Sequence, residues 1–123
     1  MLSDYSALTT LGVSDLPRAR EFYEGVLGFT PANVHDEGTV YACGTGAFFI
    51  YRSGYAGTNK ATAMSFQIPG SAFEDEITAL REKGVQFQTY EMEGVTWDHG
   101  VATMAEDTRS AWFEDPDGNI LNV

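Results

Sequence analysis

Residues 13–29 read VSDLPRAREFYEGVLGF, and this stretch predicts a helix with a defined start and end. Ser14 or Asp15 can accept hydrogen bonds from the first backbone amides, and Pro17 falls in the first turn, where its missing N–H is not needed. Gly28 supplies the left-handed backbone that often ends a helix. Between these signals apolar side chains recur at helical spacing, at Leu16, Ala19, Phe22, Tyr23, Val26 and Leu27. The stretch therefore predicts an amphipathic helix that follows a first strand.

A second stretch repeats this pattern. Residues 68–84 read IPGSAFEDEITALREKG, again with an apolar lead-in, a helical run and a closing glycine. Ser71 and Glu74 have the spacing of a capping box, in which each side chain bonds the backbone amide of the other residue. Ile68 lies 55 residues after Val13. The chain is therefore predicted to contain the same unit twice.

Strand-forming runs separated by turn residues surround both helices, so each half is predicted to be a βαβββ module and the fold class to be α+β. The predicted strands cover 7–13, 29–34, 39–43 and 47–52 in the first half, and 62–68, 85–90, 109–114 and 120–123 in the second, where the helix covers 71–83. A long loop is predicted through Trp97–Gly100, and residues 101–105 fit either a strand or a loop. We expect a single domain over 1–123, with module one at about 1–55 and module two at about 60–123.

The charge balance narrows the range of partners. The chain carries 18 acidic and 7 basic residues, for a formal net charge of −11, and it has no cluster of lysine and arginine. Nucleic acid and anionic membrane surfaces are bound by basic patches, so neither is expected as a partner. The acidity favours neutral or cationic ligands, or it serves solubility alone.

Cysteine usage and hydropathy indicate the compartment. Cys43 is the only cysteine, which excludes an intrachain disulfide and fits a reducing environment. No apolar run approaches the ~20 residues of a membrane span, and the N-terminus lacks the basic-then-apolar layout of a signal peptide. We therefore expect a cytoplasmic protein.

Two motifs give the chain a resemblance to a known family. The first is the helix stretch at 13–29, and the second is WFEDPDGN at 112–119. With the internal repeat, they resemble the vicinal oxygen chelate superfamily, which includes glyoxalase I, bleomycin-resistance proteins and extradiol dioxygenases. The resemblance implies two tandem βαβββ modules whose sheets form a cup around a ligand cavity, with the helices outside. It also implies a homodimer, which would bury exposed sheet edges.

The resemblance also implies where a metal would bind. Metal-using members place His, Glu or Gln ligands on the first and fourth strands of each module, and the matching positions here hold Leu8, Phe49, Ala63 and Asn122. A divalent cation needs oxygen, nitrogen or sulfur donors in place of its water. Three of these side chains offer none, and Asn122 offers one neutral oxygen. We therefore expect no metal site of the family type and no cofactor.

Without a metal, the cup wall is predicted to be aromatic and weakly polar. The predicted ligand-binding residues are those that strand alternation places on the cup side, together with the Trp97 loop: Leu8, Thr10, Phe49, Tyr51, Ala63, Ser65, Gln67, Trp97, Trp112 and Asn122. Such rings, with scattered hydroxyls and amides, suit a planar apolar molecule, and a cation gains further from the ring faces. The alternative is that Phe48, Tyr51 and Trp112 are ordinary core residues.

Candidates for catalysis are few. His99 could act as a general base oriented by Asp98, or the two could form only an exposed loop pair. Cys43 could be a nucleophile, but no activating group accompanies it, and strand cysteines are usually inert. Nothing in the sequence marks a tyrosine as a perturbed proton donor; the candidates are Tyr41, Tyr51 and Tyr90.

The sequence thus predicts a metal-independent protein that binds or sequesters a small aromatic molecule, neutral or cationic, as the drug-sequestering bleomycin-resistance proteins do. One alternative is a cofactor-free lyase or isomerase with His99 or a tyrosine as acid and base. Another is a metal enzyme of the glyoxalase or dioxygenase type, with ligands at other positions. Whether the protein is an enzyme stays open at this point, with binding favoured.

Overall fold

A computed structural model describes all 123 residues. A single 3-10 turn at Leu2–Asp4 precedes the first half, which contains four strands. These are β1 (Thr9–Val13), β2 (Pro31–Val34), β3 (Gly38–Cys43) and β4 (Gly46–Arg52), with a helix between β1 and β2. Every strand predicted for this half is present, with ends within two residues of the predicted ones.

The second half contains five strands and one helix. These are β5 (Thr62–Ser65), α2 (Gly70–Glu82), β6 (Thr96–Asp98), β7 (Val101–Thr103), β8 (Arg109–Glu114) and β9 (Ile120–Asn122), with a 3-10 turn at Ala105–Asp107. The longest helix, α2, has 13 residues, and no helix here has the length and apolarity needed to cross a bilayer.

The region before β8 differs from the sequence prediction in two ways. The predicted strand over 85–90 is wrong: only Gln88 pairs, in an isolated bridge with Trp112, because β7 occupies the adjoining edge of β8. The predicted loop through Trp97–Gly100 is instead the β6–β7 hairpin. His99 and Gly100 both have positive φ, at 49° and 81°, the backbone signs that a two-residue type I′ hairpin turn requires.

The strand order repeats between the halves. The first sheet has the order β1-β4-β3-β2 and the second β5-β9-β8-β7-β6. In each half the first strand runs parallel to the last, so Leu11 lies beside Ile50 and Ser65 beside Asn122. This confirms the α+β class and the two tandem units, while the two sheets stay separate and do not close.

The first helix starts as the sequence predicts but changes its hydrogen bonding midway. The Asp15 carboxylate accepts from the Arg18 amide at 3.1 Å and caps the α-helical segment α1 (Leu16–Arg20). The helix continues over Glu21–Val26 in π geometry, where the Leu27 amide donates to the Phe22 carbonyl at 3.0 Å. This wider turn is a rare form that a side-chain pattern does not reveal.

The second helix begins differently from the prediction. The residue before its first turn is Pro69, and no side chain caps it, so the predicted capping box of Ser71 and Glu74 is wrong. Glu74 instead forms an ion pair with Arg109 on β8. A long-range partner therefore replaces the local one that the spacing suggested.

One hydrophobic core joins the halves. Burial alternates along β1 and β4, so that Leu11, Val13, Phe48 and Ile50 point to the helices while their neighbours face away. Core residues from both halves belong to one cluster, which contains Leu11, Val13, Leu16, Ala19, Tyr23, Tyr41, Phe48, Ile50, Phe73, Ile77, Ala111, Phe113, Leu121 and Val123. We call the sheet side opposite the helices the open face; it carries Thr10, Phe49, Tyr51, Ser65, Trp112 and Asn122.

The turn between β8 and β9 fixes the second half to the first helix. The Tyr23 hydroxyl donates to Asp115 Oδ2 at 2.8 Å, and the Asn119 amide donates to the Gly12 carbonyl at 2.9 Å. Asp115 is 5% exposed and also accepts from the backbone amides of Asp117 and Asn119. We call this contact of residues 115–119 with β1 and the first helix the tyrosine junction. Burial, followed by the Asp115 charge, raises the pKa of Tyr23 far above its ordinary value, which keeps the hydroxyl a donor.

Candidate functional site

The open face of the first half carries a stacked aromatic pair. Phe49 and Tyr51 alternate with core residues on β4, and their rings lie 5.9 Å apart at an interplanar angle of 9°. Thr10 pairs opposite Phe49 on β1, and Leu8, which immediately precedes β1, is 48% exposed. The predicted residues of this half therefore form one contiguous surface of rings with a hydroxyl beside it.

The open face of the second half carries a larger aromatic group. Trp112 alternates with the buried Ala111 and Phe113, and its ring contacts Trp97 and Tyr90 at centroid distances of 6.1 and 6.0 Å. Tyr90 meets Trp112 edge to face, at 90°. Trp112 is therefore half-buried on the open face, as alternation along β8 predicts, and not in the main core.

A cavity of about 240 Å³ adjoins this aromatic group. Trp112, Tyr90 and Thr62 line it, and the indole N–H of Trp112 donates to the Thr62 hydroxyl at 3.1 Å. The pKa of Tyr90 is raised by burial and then by the charge of Glu114. The cavity also exposes Lys60 at its edge. Aromatic walls with hydroxyl groups and both charge signs nearby suit a small polar aromatic molecule.

Thr62 and Tyr90 are absent from the predicted ligand-binding set. The register of β5 shifts between Thr62 and Met64, and such a bulge breaks the alternation that the prediction assumed. The sequence presents Tyr90 only as a candidate proton donor. Its place beside Trp112 depends on the single Gln88 bridge, which no local pattern indicates. The one sequence signal for Tyr90 is alternation, which places it on the same side of its segment as Gln88.

Ser65 and Asn122 are neighbours on the open face of the second half. They pair across β5 and β9, and Ala63 lies half-buried two residues before Ser65. The Asn122 amide donates to the Ser110 hydroxyl and to the Ala111 carbonyl. Because both amide hydrogens are used inside the protein, the carbonyl oxygen of Asn122 is the atom left to accept a bond from a ligand.

The structure does not bring all ten predicted residues together. No ring contact joins the Phe49–Tyr51 pair to the Trp97–Trp112 group within the chain, and none of the four principal cavities is lined by both. Gln67 lines a different pocket, which we call the junction pocket. It has a volume of about 320 Å³ and lies between the end of the first helix and the start of α2, lined by Leu27, Phe29, Phe66, Gln67, Leu80 and Phe113 among others.

The largest cavity lies away from the open face. It is a groove of about 530 Å³ beside the first helix, and its charged side chains include Arg20 and Glu24, which pair with each other at 2.6 Å. Tyr41 also donates to Glu24, at 2.9 Å, and burial together with this carboxylate raises the pKa of Tyr41. Only Arg20 and Glu24 are matched in this way. Glu21, Asp36 and Arg52 also line the groove, are exposed and form no ion pair within the chain, so the groove is a charged surface that suits an apolar ring less well than the aromatic group does.

His99 does form the predicted pair with Asp98. Its Nδ1 lies 2.7 Å from Asp98 Oδ1, but the two side chains are 86% and 85% exposed. Asp98 alternates with Trp97 and so points away from the aromatic group. The His99–Asp98 pair borders a small polar cavity beside α2, together with Arg81 and Arg109. The imidazole is therefore oriented by a carboxylate but stands apart from the aromatic group.

Cys43 lines the junction pocket and is half-buried. Burial raises the pKa of its thiol, which lowers the thiolate fraction that a nucleophile needs. This environment fits the sequence expectation that Cys43 is not activated.

The four positions that correspond to family metal ligands do not form a donor set. Leu8, Phe49 and Ala63 have no donor atoms, and the amide hydrogens of Asn122 are committed within the protein. No three side chains among the histidines, cysteine, aspartates and glutamates lie close enough to hold a metal ion. These residues do not fit a family-type metal site.

Solved structures with this fold are similar over nearly the whole chain. A glyoxalase family protein from Enterococcus faecalis has a TM-score of 0.72 at 17% identity and covers 99% of this chain and 98% of its own. For lactoylglutathione lyase from Agrobacterium tumefaciens the values are 0.71, 16%, 96% and 91%. For the fosfomycin resistance protein FosX from Listeria monocytogenes, complexed with Mn(II) and sulfate, they are 0.66, 15%, 96% and 86%. At these identities the likeness establishes the fold alone.

Sequence comparison identifies the family. No curated protein matches the chain, but the family model described as Glyoxalase/Bleomycin resistance protein/Dioxygenase superfamily matches residues 6–123. That range includes both helix stretches and the turn motif at 112–119, which carry the resemblance. The chain belongs to the Glyoxalase/Bleomycin resistance protein/Dioxygenase superfamily.

Proposed function

We propose that this protein binds a small aromatic molecule, neutral or cationic, on its open face without a metal ion, and that it sequesters the molecule without converting it. The observation that carries the proposal is the residue set of the open face. It offers rings, hydroxyls and one amide oxygen, while the positions of the family's metal ligands hold Leu8, Phe49, Ala63 and Asn122.

The aromatic geometry supports a planar ligand. Trp112 meets Tyr90 at 90° and Trp97 at 51°. Trp112 and Tyr90 line the cavity next to Thr62, so a flat molecule in it would contact both a ring face and a ring edge. The volume of about 240 Å³ is somewhat below the ~300–1,000 Å³ of typical ligand sites. A small, single-ring molecule therefore fits better than a large antibiotic.

Long-range charge supports the preference for neutral or cationic ligands over anions. Within the cavity the one charged lining residue is Lys60, exposed at the edge, and it favours a neutral ligand over a cationic one there. The net charge of −11 acts against anions at long range, and Glu114 lies close enough to Tyr90 to raise its pKa. A cation over the Trp112 ring would gain attraction from the ring face.

A homodimer is part of the proposal. Both sheets end in strands with an unpaired edge: β1 and β2 in the first, β5 and β6 in the second. Association would cover such edges, and a second copy could place one half's aromatic face against the other half's, which the single chain leaves apart. Light scattering after size exclusion should give twice the 13.5 kDa chain mass; a monomer at micromolar concentration would contradict this part.

The second candidate is a cofactor-free lyase or isomerase, favoured by the His99–Asp98 pair at 2.7 Å. Against it, the pair is almost fully exposed and lies apart from the aromatic group. A raised pKa makes Tyr90 a poor general base near neutral pH. Binding is therefore the better-supported activity.

The test uses the two tryptophans, Trp97 and Trp112, which both lie on the open face. Protein treated with EDTA is titrated with a panel of single-ring aromatic metabolites and antibiotics, with tryptophan fluorescence and melting temperature as readouts. We expect quenching and a raised melting temperature for at least one neutral or cationic compound, and mass spectrometry should recover that compound unchanged. Binding that appears only after a metal is added would overturn the proposal.

His99→Ala separates binding from catalysis. This variant should bind the same compound with unchanged affinity, since His99 lies outside the aromatic group. If the wild type converts the compound and His99→Ala binds it but does not convert it, the enzyme alternative is correct and the sequestration proposal fails.

A further inference from the structure

We infer that the junction pocket is a second ligand site, separate from the open face, and that it takes a small apolar amine. The inference does not depend on the proposed function, because the pocket opens on the helix side of the sheets. Its walls include Phe113 and Val123, which belong to the hydrophobic core, whereas the open face carries the residues that alternate with the core.

The pocket is built to hold an apolar group. Nine of its twelve lining residues are hydrophobic, and Phe29 and Phe66 lie against each other in it, with ring centroids 5.7 Å apart at an interplanar angle of 28°. Its volume of about 320 Å³ is roughly twice that of the ~150 Å³ apolar cavity that accommodates benzene in an engineered protein. A single ring with a short side chain fits this space.

The internal repeat shows why the pocket is open. The β8–β9 turn packs against β1 and the first helix. There Asp115 accepts from the Tyr23 hydroxyl, and the Asn119 amide donates to the Gly12 carbonyl. The corresponding contact in the other half joins the β3–β4 turn to the β5–α2 segment, where the junction pocket lies. That turn is Gly44-Thr45, followed by Gly46 at the start of β4, and it has no side chain long enough to enter the gap. The pocket is thus the unfilled counterpart of the tyrosine junction.

The polar groups at the pocket select the sign of the ligand's charge. Glu76 on α2 and Gln67 are its only polar lining residues apart from Cys43, and both are exposed at the rim. Neither side chain forms a hydrogen bond within the chain, and Glu76 takes part in no ion pair. An ammonium group at the rim would meet the Glu76 carboxylate, whereas a carboxylate ligand would be repelled.

Two native reporters distinguish this pocket from the open face. Cys43, the only cysteine, lines the junction pocket, and both tryptophans lie on the open face. The probe is 2-phenylethylamine, with phenylacetate as its anionic counterpart. The amine should slow alkylation of Cys43 by iodoacetamide in a saturable manner, and to the same extent in Trp112→Leu, so that any tryptophan quenching reports separate binding at the open face. Phenylacetate should leave the alkylation rate unchanged.

Two variants that each remove one negative charge test the role of the Glu76 carboxylate. Glu76→Gln should weaken the amine's protection of Cys43 by about 2- to 5-fold in affinity, the range for a partly exposed ion pair. Asp75→Asn, a neighbour on α2 that does not line the pocket, removes the same charge and should have no effect. Both residues are exposed, so both variants should fold.

Three kinds of result would overturn the inference. The first is no protection of Cys43 by the amine. The second is equal protection by phenylacetate, or equal affinity in Glu76→Gln and Asp75→Asn. The third is a Cys43 reaction rate that falls with protein concentration and ignores the amine, which would mean that a second copy covers the pocket.

Discussion

The two halves of this protein share a strand order but differ where each meets the other. The second half's β8–β9 turn reaches the first helix with a buried carboxylate, Asp115, that accepts from Tyr23. The first half's β3–β4 turn offers only a glycine-rich tip, and a pocket of about 320 Å³ stands beside it. The same topology therefore produces the hydrogen-bonded tyrosine junction at one contact and the junction pocket at the other.

The difference shows how a repeat can divide stability and binding between equivalent contacts. A buried hydrogen-bonded carboxylate fixes geometry because leaving any of its partners unpaired is unfavourable. An apolar gap gives up packing but leaves room for a ligand. The side chains of a five-residue turn decide which of these outcomes the fold provides.

Asp115→Ala should have the largest effect on stability. Asp115 accepts four hydrogen bonds, from the Tyr23 hydroxyl, two backbone amides and the Asn119 side chain. Losing it leaves buried donors unpaired, so the free energy of unfolding should fall by about 3–5 kcal/mol, as urea denaturation would measure. Thr45→Ala, in the exposed equivalent turn, should change it by less than about 0.5 kcal/mol. Equal losses of unfolding free energy in the two variants would show that the β8–β9 turn stabilises the fold no more than the β3–β4 turn does.

Tyr23→Phe should have the next largest effect. It keeps the ring, which packs 5.5 Å from Phe48, but removes the bond to Asp115. A hydrogen bond to a charged group contributes about 1.5–3 kcal/mol, and the unfolding free energy at pH 8 should fall by that amount. An unchanged free energy of unfolding would show that the bond between Tyr23 and Asp115 does not stabilise the tyrosine junction.

The wild type and Tyr23→Phe should also differ in how their stability depends on pH. The folded pKa of Tyr23 is raised above the ordinary 10.0, chiefly by burial, so its contribution is complete below pH 10 and is lost as pH rises further. The wild type should therefore lose about 1.4 kcal/mol more per pH unit than Tyr23→Phe above pH 10, and the stability gap between them should close. Parallel losses would mean that Tyr23 ionises normally in the fold.

Ala72→Leu, at the junction pocket, should raise the free energy of unfolding instead of lowering it. Ala72 lines the junction pocket from the first turn of α2, and filling a cavity commonly adds about 0.5–2 kcal/mol to the free energy of unfolding. The variant should also lose the protection of Cys43 by 2-phenylethylamine. A destabilised variant would indicate that the pocket has no room for three more carbon atoms.

Trp112→Leu and Phe49→Leu compare the open faces of the halves, with the smallest expected effect. Each ring contact should contribute about 0.5–1.5 kcal/mol, or about 2- to 13-fold in affinity for the aromatic ligand, measured by calorimetry. We expect the larger loss for Trp112, which lines the cavity next to Thr62. If neither variant weakens binding, the ligand does not lie on the open face.

Much of the fold could be predicted from local patterns. The caps at Asp15, the glycine stop at Gly28 and the alternation along β1 and β4 act within a few residues, and the structure confirms them. The failures involve distant partners. Ser71 and Glu74 match a capping box, but Arg109 attracts Glu74, and residues 85–90 alternate like a strand but find most of their edge of β8 already paired.

The candidate site was harder to predict for the same reason. Alternation correctly placed Phe49, Tyr51 and Trp112 away from the core, because that inference needs only one strand at a time. It missed Thr62, whose position follows a bulge, and it grouped Gln67 with residues from which the structure separates it. Which faces meet depends on the packing of the two sheets, which a one-dimensional pattern does not contain.

The claim that the open face works without a metal ion is tested most directly by metal titration of EDTA-treated protein. Mn(II), Ni(II), Fe(II) and Zn(II) are added singly, and melting temperature and bound metal per chain are measured. Because Leu8, Phe49 and Ala63 supply no donor atoms, we predict no saturable rise in melting temperature and no stoichiometric uptake. One tightly bound ion per chain, with a matching rise in melting temperature, would contradict the claim.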